Sequence, residues 1–131
     1  MKKIVGLFSI LFLLLACGES DVVIGNKTTM EVLTLFDAGD VMKGEVITAK
    51  FSIKNTGDYP LVIADVVGSC SCTVAEKPEE PIAPGKSGDV LAYVNTDKLS
   101  AGPLNKSVRI VANTENSVTE VIVKANVIRN K

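Results

Sequence analysis

The sequence predicts an all-β fold, an immunoglobulin-like β-sandwich of about seven strands. Hydrophobic residues recur at every second position over most of the chain beyond Met30. Gly, Pro, Asn and Asp break these runs at strand-length intervals. No segment shows the spacing of an amphipathic helix. With 131 residues the chain has room for one domain.

The first strand is expected at Glu31–Phe36. In the next, Val46 to Lys54, the residues Ile47, Ala49, Phe51 and Ile53 point one way and Thr48, Lys50, Ser52 and Lys54 the other, so one face is core and one is wet. The same alternation places strands at Leu61–Val67, Asp89–Asn95, Ser107–Ala112 and Val118–Val127. Val121, Val123, Ala125 and Val127 form the inward set of the last. Asn55-Thr56-Gly57-Asp58 and Pro84-Gly85 supply turns, with residues that tolerate positive φ or hold it near −65°. An antibody-type sandwich is excluded, because the chain has no tryptophan and because Cys70 and Cys72 are too close in sequence to staple two sheets.

Ahead of this domain, Lys2 and Lys3 precede an apolar run from Ile4 to Leu15. That run is too short to span a bilayer core, which needs roughly 20 helical residues, and it has the form of a signal peptide. Leu14-Leu15-Ala16-Cys17 resembles a bacterial lipobox, in which the cysteine is lipidated and becomes the first residue of the mature protein. The expected organisation is a lipoprotein signal peptide at 1–16, a lipidated N-terminus and tether at 17–29, and the sandwich at 30–131. Loss of residues 1–16 removes two lysines, leaving 12 basic against 15 acidic residues and a net charge of −3. Acyl chains on Cys17, at about 0.8 kcal/mol per buried methylene, would anchor the protein to a membrane without a spanning helix. Acidic residues in Gly18-Glu19-Ser20-Asp21 resemble surface-export signals of some Gram-negative lipoproteins. The expected address is therefore the cell envelope, at the outer membrane, on its periplasmic or its exposed face.

Composition narrows the chemistry. The chain contains no histidine, which removes the commonest general base and metal ligand. Near-neutral charge and few aromatics leave no footprint for nucleic acid. Gly85-Lys86-Ser87 looks like part of a phosphate-binding loop, but that motif needs a glycine where Glu80 stands, so a plain turn is expected. Glu79 and Glu80, adjacent in a Pro-flanked loop, read as solvated charge. Asn26-Lys27-Thr28 and Asn105-Lys106-Ser107 fit a eukaryotic glycosylation pattern, which a lipobox makes irrelevant.

The one constellation with chemical potential is Cys70-Ser71-Cys72. In an extended strand its two Cα atoms would be roughly 6.5–7 Å apart, at the long limit for a disulfide, so a bridge requires a local bend. With Cys17 consumed by lipid, an even number of cysteines remains, and an oxidising compartment favours pairing. A structural disulfide or buried thiol pair, a redox pair and a soft-metal site are the alternatives; tetrahedral zinc would need two further ligands.

Phe51 to Ile63 with its Asn55-Thr56-Gly57-Asp58-Tyr59-Pro60 centre, then Cys70-Ser71-Cys72-Thr73, then Pro81-Ile82-Ala83-Pro84-Gly85-Lys86-Ser87-Gly88, resemble in order and spacing the bacterial domain of unknown function 1573. The resemblance covers Met30 to Ile128. It implies a PapD-like or major-sperm-protein-like immunoglobulin fold, and secreted or lipid-anchored proteins of Bacteroidota-type bacteria. It implies no enzymatic activity. The family pattern reads Cys-Gly-Cys-Thr, so a turn needing positive φ would be strained by Ser71.

The expected function is a membrane-anchored bacterial lipoprotein, acting as a non-catalytic binding or structural module of the envelope. Its partners would be the membrane, through Cys17, and an envelope protein or glycan. No catalytic residue, metal or cofactor is expected. The alternative is a thiol redox or soft-metal-handling lipoprotein using Cys70 and Cys72.

Overall fold

A computed structural model of the chain describes residues 25–129. Eight strands follow in order: β1 (Met30–Val32), β2 (Leu35–Met42), β3 (Val46–Asn55), β4 (Ile63–Gly68), β5 (Thr73–Glu76), β6 (Ser87–Asn95), β7 (Gly102–Ala112) and β8 (Val118–Ile128). They form two four-stranded sheets, ordered β1-β3-β6-β5 and β2-β8-β7-β4. All neighbours are antiparallel except β2 and β8, which run parallel.

The period-two pattern explains the layering. Ile47, Ala49, Phe51 and Ile53 of β3 and Val90, Ala92 and Val94 of β6 are buried from one side; Val108 and Ile110 of β7 and Val121, Val123, Ala125 and Val127 of β8 are buried from the other. Two inner faces of this kind interdigitate as a sandwich core. Phe36 of β2 meets Phe51 of β3 edge-to-face across it, with ring centroids 6.3 Å apart.

Eight strands replace the expected seven or so, for local reasons. The stretch Glu31–Phe36 is two strands, not one: Val32 pairs with Ile53 in the first sheet, whereas Phe36 pairs with Val123 in the second. The chain changes sheets at Leu33-Thr34 to bury both. β2 continues to Met42 through a register shift between Asp37 and Asp40, where Gly39 has φ +66° and donates its N–H to Asp37 Oδ1 at 2.9 Å. That irregularity interrupts the alternation by which a strand is recognised. β5 has only four residues, too few for a periodic signal. β7 starts at Gly102 and includes Pro103, opposite Asn126 and beyond the end of β4, so its missing N–H falls on a side with no neighbouring strand.

Buried polar residues tie the loops to the sandwich. Asn55 is fully buried. Its Oδ1 accepts from Thr28 Oγ1 at 2.9 Å and from the Gly57 N–H at 3.1 Å, while its Nδ2 donates to the carbonyls of Tyr59 and Ile82, both at 2.8 Å. Thr96 Oγ1 accepts from the Gly44 N–H and donates to the Glu45 carbonyl at 2.6 Å. Asn113 accepts from the Val62 N–H and donates to the carbonyls of Asn26 and Pro60. Among the described residues no buried side-chain nitrogen or oxygen lacks a partner. Thr28 and Thr29, assigned from sequence to the tether, are held on the domain: Thr28 bridges to Thr114, and the Thr29 carbonyl accepts from the Thr56 N–H.

Candidate functional site

The cysteine pair sits where the chain leaves the edge of one sheet and enters the edge of the other. β4 ends at Gly68, β5 begins at Thr73, and Ser69 to Cys72 make the corner. Thr73 N–H donates to the Cys70 carbonyl at 3.1 Å, closing a four-residue turn with Ser71 exposed at its tip. This bend brings the two Cα atoms to 5.2 Å, inside disulfide range, and the sulfurs are bonded. Every positive φ among the described residues belongs to a glycine, so Ser71 occupies the turn without left-handed strain.

Three contacts hold this corner independently of the sulfur bond. Ser69 N–H donates to the Ser107 carbonyl and Asn95 N–H to the Cys72 carbonyl, each at 2.9 Å. The third is steric: a Cβ on Gly68 would lie 2.6 Å from the Thr73 carbonyl oxygen and 2.8 Å from its side chain, so only glycine permits the two strand ends to approach. Thr73 is 7% exposed, and its Oγ1 lies 3.4 Å from Cys70 Sγ and 3.7 Å from Cys72 Sγ. Cys72 packs against the core, and both cysteines are half-buried. A bridge enclosing three residues removes little unfolded-state entropy, about 1.6 kcal/mol by the loop-closure relation, against about 4.7 kcal/mol for a 100-residue loop. It stabilises the corner more than the fold.

A second feature lies on the opposite side of the sandwich. β1 pairs with β3 only through Ile53, Lys54 and Asn55, leaving Val46 to Ser52 without a strand partner on that side. The Asn55 N–H points toward the β6 side, to the Lys86 carbonyl, and the Thr56 N–H points the other way, to Thr29. By the alternation of an antiparallel ladder, Thr48, Lys50 and Ser52 then direct N–H and C=O to the open side. Beside this edge is a cleft of about 640 Å³, lined by the apolar Phe36, Val41 and Ile47 together with the polar Asp37, Glu45 and Thr48.

The remaining sequence motifs are structural. Gly85 has φ +76° and donates its N–H to the Asn55 carbonyl, and the Lys86 N–H goes to Ala83, so these two amides of the Gly-Lys-Ser stretch are already engaged in a turn. Gly57 does not need positive φ; it is required because Thr28 and Thr29 pass against it. Gly88 admits the Ile82 side chain, which a Cβ would meet at 2.7 Å. Glu79 and Glu80 are exposed. Among the described residues no three Cys, Asp or Glu side chains come together as potential metal ligands, and no helix is long and apolar enough to cross a membrane. Cys17 and the signal-peptide residues lie outside the described part of the chain.

Nothing in the sequence pattern marks Asn55, Thr73, Thr96 or Asn113 as more than turn or strand residues. The Asn-Thr-Gly turn signature was visible for Asn55. For Thr73 the only signal was its position next to the cysteines.

Two facing four-stranded sheets define an immunoglobulin-like β-sandwich, a fold shared with PapD-like domains. Solved structures agree. The PapD-like (ASH) domain 7 of human CEP192 superposes with a TM-score of 0.59 at 8% identity, over 80% of this chain and 89% of that one. A protein of unknown function from Porphyromonas gingivalis W83 superposes at 0.69 with 24% identity, over 78% of this chain and 48% of that one, so this chain spans about half its length. The Vibrio cholerae VesB protease matches at 0.58 with 10% identity, over 75% of this chain and 31% of that one. At these identities the likeness is one of fold. By sequence, residues 28–127 match the DUF1573 model, and the chain belongs to that family of proteins of unknown function. No curated protein matches it.

Proposed function

We propose that the protein is a lipid-anchored, non-catalytic binding module of the bacterial cell envelope, which takes an extended segment of another envelope protein along the open edge of β3. The observation that carries this reading is the unpaired stretch Val46–Ser52 beside a cleft of mixed polar and apolar lining. Outward N–H and C=O groups supply main-chain hydrogen bonds to an added strand, and the cleft supplies a pocket for its alternate side chains. The anchor is acylated Cys17, supported by the order of basic start, apolar run, small residue and cysteine. In this reading the domain sits at the outer membrane, on its periplasmic or its exposed face.

The test is site-specific photocrosslinking from Thr48 and Lys50 in intact cells, with β5 position Val74 as control. One dominant protein adduct from the β3 positions, absent from Val74, supports the reading. A glycan adduct replaces the proposed partner class, and equal labelling from both edges removes the assigned surface.

A further inference from the structure

We infer that Cys70–Cys72 is a thiol–disulfide exchange site that accepts two electrons from a dithiol partner, with Thr73 as its positioning residue. This rests on the corner between β4 and β5 and is separate from the binding surface on β3.

The geometry meets three requirements of such a site. One sulfur must be reachable, and Cys70 at the half-exposed turn is the candidate, since Cys72 packs against the core. The departing thiolate must be stabilised, and the buried Thr73 hydroxyl reaches both sulfurs. A disulfide sulfur is a weak acceptor, whereas a thiolate is a charged one, so this hydroxyl makes its stronger hydrogen bond when the bridge is open. Finally, the backbone must survive opening. The bonds from Thr73 N–H to Cys70, Asn95 N–H to Cys72 and Ser69 N–H to Ser107 do not involve the sulfurs.

In the exchange, one partner thiolate attacks Cys70 Sγ. A bond forms between the two sulfurs, the Cys70–Cys72 bond breaks, and its electron pair goes to Cys72 Sγ, which accepts from Thr73 Oγ1. The partner's second thiolate attacks its own sulfur in the mixed disulfide and releases Cys70 as thiolate. The partner has lost two electrons and carries a disulfide; Cys70 and Cys72 have gained them and take protons from water as their pKa values require.

The full chain in detergent is equilibrated with glutathione redox buffers, quenched with acid and alkylated, and the peptide carrying Cys70 and Cys72 is weighed. The pair is expected to open and close reversibly while the β-sheet circular dichroism persists. Thr73→Val is expected to shift the equilibrium about tenfold toward the disulfide, with Thr73→Ser restoring it. Reduction only after denaturation, loss of the sheet signal on reduction, or an unchanged constant in Thr73→Val would overturn the proposal. Two single-cysteine variants keep it testable if Thr73→Val does not fold. The Cys70 thiol in Cys72→Ser should exchange with oxidised glutathione about tenfold faster than the Cys72 thiol in Cys70→Ser. Equal rates overturn the assignment of the attacked sulfur. In Cys70→Ser, the pH midpoint of Cys72 alkylation should rise when Thr73→Val is added; an unchanged midpoint removes Thr73 from its role.

Discussion

Asn55 shows how much of this fold depends on one side-chain amide. Its four side-chain hydrogen bonds join the start of the domain, the turn after β3 and the loop before β6. Asn55→Ala leaves the Thr28 hydroxyl, the Gly57 N–H and the carbonyls of Tyr59 and Ile82 without that partner, and is expected to cost about 2–4 kcal/mol, read from urea unfolding. A variant within about 0.5 kcal/mol of wild type would show that water replaces the amide. At Tyr93 the effect is electrostatic. Partial burial, reinforced by the nearby Glu76 carboxylate that accepts its hydroxyl at 3.2 Å, raises its pKa above the ordinary 10.0. The neutral phenol is favoured by folding, so the associated stability is present below the unfolded pKa and is lost as pH rises through the higher folded value. Ultraviolet titration should find Tyr93 ionising late, and Glu76→Gln should bring it down; no change in that variant would leave burial as the whole cause. The ion pair Lys50–Asp89, at 2.8 Å with both side chains largely exposed, carries little stability.

At the scale of elements, the edges of the sandwich are its distinctive feature. β3 is central where β1 covers it and an edge strand elsewhere, because β1 is only three residues long and the chain then leaves for the other sheet. Thr48→Pro removes an outward N–H without breaking a ladder bond to β6. The expected outcome is loss of the β3 photocrosslink with the unfolding midpoint lowered by only a few degrees. Retention of the adduct would mean that side chains in the cleft, not strand addition, capture the partner. The corner between β4 and β5 responds differently. Gly68→Ala forces its new methyl against Thr73, so it should destabilise the domain by about 1–3 kcal/mol; thermal unfolding within a degree of wild type would show that the corner can shift.

For the whole molecule, the decisive prediction concerns the anchor. Cys17→Ala should shift the protein from the membrane fraction and abolish incorporation of labelled palmitate, leaving the sandwich folded. Membrane retention without label would require another attachment. Electrostatics adds nothing comparable, since neither the full chain's net charge of −1 nor the −3 expected after loss of residues 1–16 gives attraction to an anionic surface.

Alternation alone determined the all-β class, the faces of β3 and β8, and the core they build, because a period of two leaves one physical solution when one face must be buried. The cysteine spacing by itself announced that any bridge needs a bend. Tertiary structure decided the rest: that residues 31 to 36 divide between two sheets, that β2 lies parallel to β8, and that Thr73 is aimed at both sulfurs. It also decided that Gly57, Gly68 and Gly88 serve close approach, where a turn signature suggested backbone freedom for Gly57. The strand pairings arise between residues distant along the chain, the Thr73 contacts from a local bend that strand alternation does not encode, and the glycine requirements from atoms that a glycine lacks. Local pattern records which side of a strand is apolar, but not which strand, loop or sulfur lies against it.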